Sequence, residues 1–363
     1  MIVVIGGGVV GLASAVAIAK RGAAVCLIER HARPGLETST HNSGVIHAGL
    51  YYPADSLKAR LCVEGRDRLY KFAVEKRIPH VKCGKLVVAQ KGESQALERV
   101  FRLATANGVT VAHVEEKFVT EREPHVAAAE ALWSPETGWI DAEAFVRALD
   151  ADLAQHDGAI LTGTPVVAID AGSDGRLTVV TPSERIEAAA VVNAAGLHAD
   201  EVSRLAGGEP FQIFPCRGEY AELAPKARHL VRGLVYPVPP ASGHGLGVHL
   251  TRTLGGEVWI GPTIHYQDDR ADYENNRLPL DSFLEPTRIL LPEVTLSDLR
   301  LGPSGIRAKL HPPAERFADF LIRRDRQQPA LIHAAGIDSP GLTASLAIGE
   351  MVAREVLAGR YAA

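Results

Sequence analysis

Gly6-Gly7-Gly8-Val9-Val10-Gly11 places glycines at the spacing G-x-G-x-x-G, and an acid, Glu29, stands at the end of the next apolar run. Each residue type suits one role at a pyrophosphate. Gly6 permits a tight turn, Gly8 lets the backbone approach the phosphates, and Gly11 lets a helix pack closely on a strand. A helix beginning there directs unpaired N–H groups and the positive end of its dipole at an anion. Glu29 can accept hydrogen bonds from adenosine ribose hydroxyls, and its charge repels a 2′-phosphate, which disfavours NADP. The pattern predicts dinucleotide binding without separating FAD from NAD. The four cysteines, Cys26, Cys62, Cys83 and Cys216, are widely spaced and form no C-x-x-C pair. Neither a metal site nor a disulfide framework is expected from them.

The elements that must position these residues follow from the apolar pattern. Ile2–Ile5 is a short continuous apolar run, as a strand buried on both faces requires. A helix follows with Leu12, Ala15, Val16 and Ile18 on one side, ended by Gly22, and then a second strand, Val25–Ile28. Helices are expected over 56–78, 94–108, 141–158 (capped by Asp141) and 342–357, and strands over 84–90, 159–169, 177–181, 190–193 and 330–335. From Pro210 to about Arg300 the chain becomes rich in Pro, Gly and β-formers, with strands expected at 219–223, 247–251 and 257–261. The fold class expected is α/β, α+β overall. A discontinuous Rossmann-like nucleotide domain over 1–83, 141–209 and 301–363 is interrupted by a mostly antiparallel β-sheet substrate domain over 84–140 and 210–300. The chain has 363 residues, 46% hydrophobic and 23% charged, with a net charge of −4 and no Lys/Arg run. That is ordinary for a globular enzyme and argues against nucleic acid as a partner. The apolar start is too short for an export segment or a membrane span, so no transmembrane segment is expected, the cytoplasm is the default location, and peripheral membrane contact stays open.

Four separated segments resemble one family. Besides Val3–Glu29, the run Thr38-Ser39-Thr40-His41-Asn42-Ser43-Gly44-Val45-Ile46-His47-Ala48-Gly49-Leu50-Tyr51-Tyr52 resembles the flavin-facing loop of L-2-hydroxyglutarate dehydrogenases and, more loosely, that of FAD glycerol-3-phosphate dehydrogenases. Asn193-Ala194-Ala195-Gly196-Leu197-His198-Ala199-Asp200 resembles the second FAD motif of the wider D-amino-acid-oxidase-like class. Gly336-Ile337-Asp338-Ser339-Pro340-Gly341-Leu342-Thr343 resembles its C-terminal loop around the flavin ring. Tyr236–Pro239 and Gly247–Thr251 also look like L-2-hydroxyglutarate dehydrogenase. Ser304–Leu310 keeps an arginine, Arg307, in surroundings closer to a bacterial paralogous branch.

The resemblance implies non-covalent FAD, extended from the first βαβ unit into the domain cleft. It implies cofactor contacts from Arg30, from the Thr38 and Ser39 hydroxyls at the diphosphate, and from Asn42, Ser43, Gly44 and Val45 at the ring. Main-chain groups of Val166 or Val167 would hold adenine, Ala195 and Gly196 of the second FAD motif and Gly336 of the C-terminal loop would also contact the cofactor, and the N–H groups at Gly341, Leu342 and Thr343 would face the flavin edge. Oxidising an alcohol needs a hydride acceptor, which the flavin supplies, and a base for the hydroxyl proton. Histidine suits the base; His47 leads and His249 is second. Arg307 stands where the class places a carboxylate-binding arginine, whose planar fork suits two parallel bonds; an inter-domain salt bridge is its structural alternative. Tyr236 and one of Tyr51 and Tyr52 are expected in the pocket, with Arg217, Lys309 and Tyr220 as lesser candidates. The reading is an FAD-dependent oxidoreductase of a 2-hydroxy acid, L-2-hydroxyglutarate first, with quinone, an electron carrier or oxygen open as acceptor. Two rivals stand beside it: an amino-acid or secondary-amine oxidase of the same fold, and a non-catalytic FAD redox sensor or electron carrier.

Overall fold

The computed structural model describes residues 1–239 and 247–358. One layer is a six-stranded sheet in the order Leu321–Arg324, Leu331–Ala335, Ala190–Asn193, Ile2–Ile5, Val25–Ile28, Ala159–Leu161. Its strands run parallel apart from the antiparallel edge strand Leu321–Arg324. The inner strands Ile2–Ile5, Val25–Ile28, Ala190–Asn193 and Leu331–Ala335 are buried at every position. Both faces are covered, so these strands are continuous apolar runs and not alternating ones.

The helix Val9–Ala19 is buried on all sides but Val10, beyond the single face that its sequence suggests. The helices Gly341–Leu357 and Ala142–Ala154 pack against it, and a helix apolar all round is an enclosed one. The last helix also packs on Leu57–Glu75. Both contacts are made backbone to backbone. A Cβ on Gly349 would lie 2.5 Å from the Ala13 carbonyl oxygen, and one on Gly65 would lie 2.5 Å from that of Thr343.

The other layer is a nine-stranded sheet, antiparallel apart from the parallel pair Leu234–Pro237 and Lys85–Ala89. The mixed α/β class with a mostly antiparallel second sheet is thus as expected. Its longest strands, Phe214–Leu223 and Leu299–Lys309, pair along nearly their whole lengths. The sheet therefore runs past residue 300, where the sequence pattern places the end of the substrate domain. The helix Ser94–Ala106 covers this sheet with Leu97, Val100 and Ala104.

Asp141 caps its helix as expected, its carboxylate accepting the Ala144 N–H at 2.9 Å. The strand expected over 159–169 is two strands in two sheets: Ala159–Leu161 ends the six-stranded sheet, and Ala168–Ala171 opens a three-stranded antiparallel meander. Between them Gly163 and Thr164 donate to the carbonyls of His31 and Glu29. Pro165 has no N–H to continue a ladder. Among the described residues no helix is long and apolar enough to cross a membrane.

Gly349→Ala tests the helix contact. Alanine gains about 1 kcal/mol of helix propensity, but its methyl group must displace the Ala13 backbone, and overpacking costs about 1–3 kcal/mol. A lower thermal midpoint by circular dichroism is expected; a raised one would show that the two backbones separate freely.

Candidate active site

One cavity of about 800 Å³ runs from the glycine turn to the large sheet. At its nucleotide end Gly6 has φ 109°, a conformation that L side chains rarely adopt. A Cβ on Gly11 would lie 1.9 Å from the Gly6 carbonyl oxygen, so helix and turn touch only because Gly11 has no side chain. Glu29 is buried, with Oε2 accepting the Gly7 N–H and Oε1 the His31 N–H, both at 2.7 Å. Its carboxylate therefore also ties the glycine turn to the segment after the second strand. Ser39 Oγ accepts the Val9 N–H at 2.9 Å, which puts a hydroxyl at the helix start where a diphosphate belongs. A Cβ on Gly8 would meet nothing but that hydroxyl, so the space before the helix is open to a ligand. Arg30 lines the cavity and is ion-paired with Glu37. Ala195 and Gly196 line it from the opposite strand. These residues fit a dinucleotide.

Several expected contacts are differently placed. Val167 is 50% exposed and gives its N–H to the Val180 carbonyl; Val166, with Thr164 and Pro165, lines the cavity instead. Thr38 lines the cavity, but its hydroxyl donates to the Ile306 carbonyl at 2.9 Å, joining the loop to the large sheet. Asn42 uses its amide within the loop itself, donating to the Thr38 and Ser39 carbonyls and accepting from the Gly44 N–H. Ser43, Val45, Gly341 and Leu342 line the cavity, whereas Gly44, Gly336 and Thr343 stand behind it. Thr343 instead braces the loop, because its hydroxyl oxygen accepts the His47 N–H at 3.0 Å and approaches the Val45 carbonyl at 3.4 Å.

The far end gathers the candidate chemistry. His47, Tyr51, Tyr52, Tyr220, Tyr236, His249 and Arg307 all line the same cavity. His47 Nε2 is 3.3 Å from Ser339 Oγ, which is 3.3 Å from the Tyr52 hydroxyl. His249 is buried, stacks on Tyr236 with ring centroids 3.7 Å apart, and lies with Nδ1 3.0 Å from the Gly247 carbonyl. That carbonyl requires the proton on Nδ1, which leaves Nε2 as the acceptor. Burial and then the neighbouring Lys85 hold His47 down at about 3, and the same two causes hold His249 well below the ordinary imidazole range. Both causes disfavour the imidazolium forms.

Arg307 is among the described residues without a salt-bridge partner; its guanidinium reaches only the Thr263 carbonyl at 3.4 Å and Cys216 Sγ at 3.8 Å. The inter-domain salt bridge that is its structural alternative is not formed among the described residues. Arg217, by contrast, is buried against Glu219 and Asp272 and caps the carbonyls of Asn275 and Asn276. Sequence reasoning missed Ser339, although it lies in the C-terminal motif, and the cluster in which Asp338 pairs with Lys58 at 2.6 Å and Lys309 at 3.2 Å. It also missed Lys85, whose signal was a lysine opening an otherwise apolar strand.

Glu29→Gln puts an amide N–H where Gly7 or His31 now donates, and removes the charge. FAD affinity is expected to fall by roughly 1.5–3 kcal/mol, the worth of hydrogen bonds to a charged group. Titration of the apoprotein with FAD measures it, and unchanged affinity would take Glu29 out of the cofactor site.

The chain is similar to known proteins over nearly its whole length. The chain is 34% identical to the mitochondrial L-2-hydroxyglutarate dehydrogenase of Caenorhabditis elegans, over 98% of this chain and 93% of that protein. It is 36% identical to the one from Arabidopsis thaliana, over 98% and 83%. The human protein of the same name is 31% identical, over 98% and 88%. Among solved structures, a dithionite-reduced L-α-glycerophosphate oxidase from Mycoplasma pneumoniae with FAD bound superposes with a TM-score of 0.88 at 26% identity, over 98% of this chain and 94% of that one. A glycine oxidase from Geobacillus kaustophilus shares the fold, with a TM-score of 0.82 at 23% identity over 98% and 94%. Residues 1–355 match the family of FAD dependent oxidoreductases (DAO), and the chain belongs to that family, an oxidoreductase whose cofactor is FAD.

Proposed function

We propose that the protein oxidises the CH–OH group of a 2-hydroxy acid to the 2-oxo acid, with L-2-hydroxyglutarate as the first candidate. The observation that carries this reading is the pairing, in one cavity, of an arginine that has no carboxylate partner among the described residues with two histidines. The full-length similarity to L-2-hydroxyglutarate dehydrogenases supports the choice of substrate. FAD, when bound, supplies the acceptor for the hydride that leaves C2. The chain does the rest. Arg307 grips the carboxylate with two parallel N–H bonds, which fixes C2 in place. His47 takes the hydroxyl proton at Nε2, the nitrogen beside which Ser339 and then Tyr52 stand in line. His249, its tautomer set by Gly247, orients the hydroxyl from the sheet side.

Anaerobic mixing of the yellow holoprotein with L-2-hydroxyglutarate in a stopped-flow instrument tests this directly: the flavin should bleach, faster than with any amino acid. His47→Asn should keep FAD yet slow bleaching by roughly 10²–10⁴-fold, the usual worth of a general base. His249→Asn is the matched variant, and a larger loss there would move the base to His249. The pH dependence has a definite sign. A group held neutral by a lowered pKa loses its function only when pH falls below that value, so the rate should stay level as pH drops through about 6.5, the ordinary imidazole value. A rate that halves near that pH would show an ordinary, solvated imidazole at work.

Arg307→Lys tests the carboxylate grip. One ammonium cannot reproduce the planar fork. Half-saturation for substrate should rise at least tenfold, while FAD content and thermal midpoint stay near those of the parent. Loss of FAD or of the fold would make Arg307 a structural residue.

A further inference from the structure

Lys85 opens the strand Lys85–Ala89, directly behind the cavity wall, and its side chain is fully buried. Its Nζ has no hydrogen-bond partner among the described residues. It lies 4.6 Å from the ring centroid of Tyr51 and 4.2 Å from that of Tyr236, and both tyrosines line the cavity. Tyr236 carries His249 stacked on it. An ammonium without a counter-charge is an unusual thing to bury. Desolvation penalises it by several kcal/mol, and cation–π contacts return about 0.5–2 kcal/mol each.

The groups around Lys85 come from several elements, and among the described residues none is a carboxylate. The loop after Ile46 contributes His47 and Tyr51; the helix Leu57–Glu75 contributes Cys62; and the large sheet contributes Tyr236 and His249. Burial pushes the Cys62 thiol up to about 12, so it offers no thiolate. Asp338, the acid at this end of the cavity, is held by Lys58 and Lys309. The field of Lys85 is therefore uncancelled by the described residues and falls on the two imidazoles.

We propose that Lys85 is a positioning residue whose buried, unneutralised ammonium keeps His47 and His249 in their neutral, proton-accepting forms. Burial brings Lys85 down to about 7, so it carries its charge throughout the acid range in which an ordinary imidazole would protonate. Above that range it discharges, and the histidines no longer need it. The charge acts through the tyrosine wall without contacting substrate. The proposal builds on the reading of these histidines as proton acceptors, but its test uses no substrate, so the two can fail separately.

The measurement is an NMR pH titration of the imidazole resonances in ring-labelled holoprotein, assigned with His47→Asn and His249→Asn. In the parent, neither ring should show a midpoint near the ordinary value of about 6.5. Lys85→Met keeps the length and apolar contact of the side chain and removes the charge; it should raise at least one midpoint by about one unit, the scale of a nearby like charge. Lys85→Arg keeps the charge and should leave both midpoints low. A parent midpoint at the ordinary value would overturn the proposal even if no variant folds. So would Lys85→Met midpoints that stay where they were, since burial alone would then suffice, or Lys85→Arg midpoints that rise with those of Lys85→Met.

Discussion

The start of the helix Gly341–Leu357 is held by backbone contacts on two sides. The main chain of Thr343 and Ala344 lies against Gly65, and Gly349 lies against Ala13 and Ser14. No side chain intervenes that could bend to absorb a shift, so the glycines set the helix position to within a few tenths of an ångström. The Thr343 hydroxyl then carries that position to the loop holding His47, whose N–H it accepts. Asp338 and Ser339 stand just before the helix and meet Lys58, Lys309, His47 and Tyr52. A helix-packing contact buried under the nucleotide sheet thus fixes where the proposed base sits. This is why precision at the site does not require a rigid loop of its own.

Charge is distributed along the cavity in two different ways. At the nucleotide end the cation Arg30 is met by an anion, Glu37, which also meets His31 Nε2 and whose carboxyl stays below its usual range because those partners outweigh its burial. At the other end, Arg307, Lys58, Lys309 and Arg316 line the wall with Asp338 as the acid between two of them. Burial alone would raise Asp338, but Lys58 and Lys309 overcome it and keep the carboxylate charged. Among the described residues these cations outnumber the acid, which leaves an excess of positive charge facing the space beside His47 and His249. Such a field suits a substrate with more than one carboxylate, and it favours binding an acid over binding a neutral amine.

What could be read from residue order was whatever depends on local rules. The glycine spacing, the fully apolar strands and the Asp141 cap each encode a backbone requirement satisfied within a few residues, and each lies where expected. What was left open or misread concerns choices settled by distant partners. Val166 and Val167 are chemically equivalent, and only the register with Val180 decides which faces the cavity. The apolar stretch 159–169 looks like one strand because both halves are β-formers. What divides it is the carbonyl of Glu29, far away in the chain at the end of another strand, which captures the Thr164 N–H. Arg307 is set apart from Arg217 by its motif, and distant partners agree: the acids Glu219 and Asp272 claim Arg217 and leave Arg307.

Buried charges elsewhere in the fold show what the site departs from. Asp152 sits under the nucleotide domain between Lys20 and Lys76, Arg66 holds Glu136, and Arg217 holds Glu219. In each case the partner returns by Coulomb attraction and hydrogen bonding much of what desolvation removes. Lys85 has only the faces of two tyrosines. A leucine or methionine there would satisfy the sheet better by every local criterion, since the strand is otherwise apolar and buried at each position. Folding stability therefore cannot be the reason for the lysine. Local rules tend to be broken at functional sites, and the physical consequence of this breach is specific: a positive field in a low-dielectric wall, acting on the same imidazoles proposed as proton acceptors.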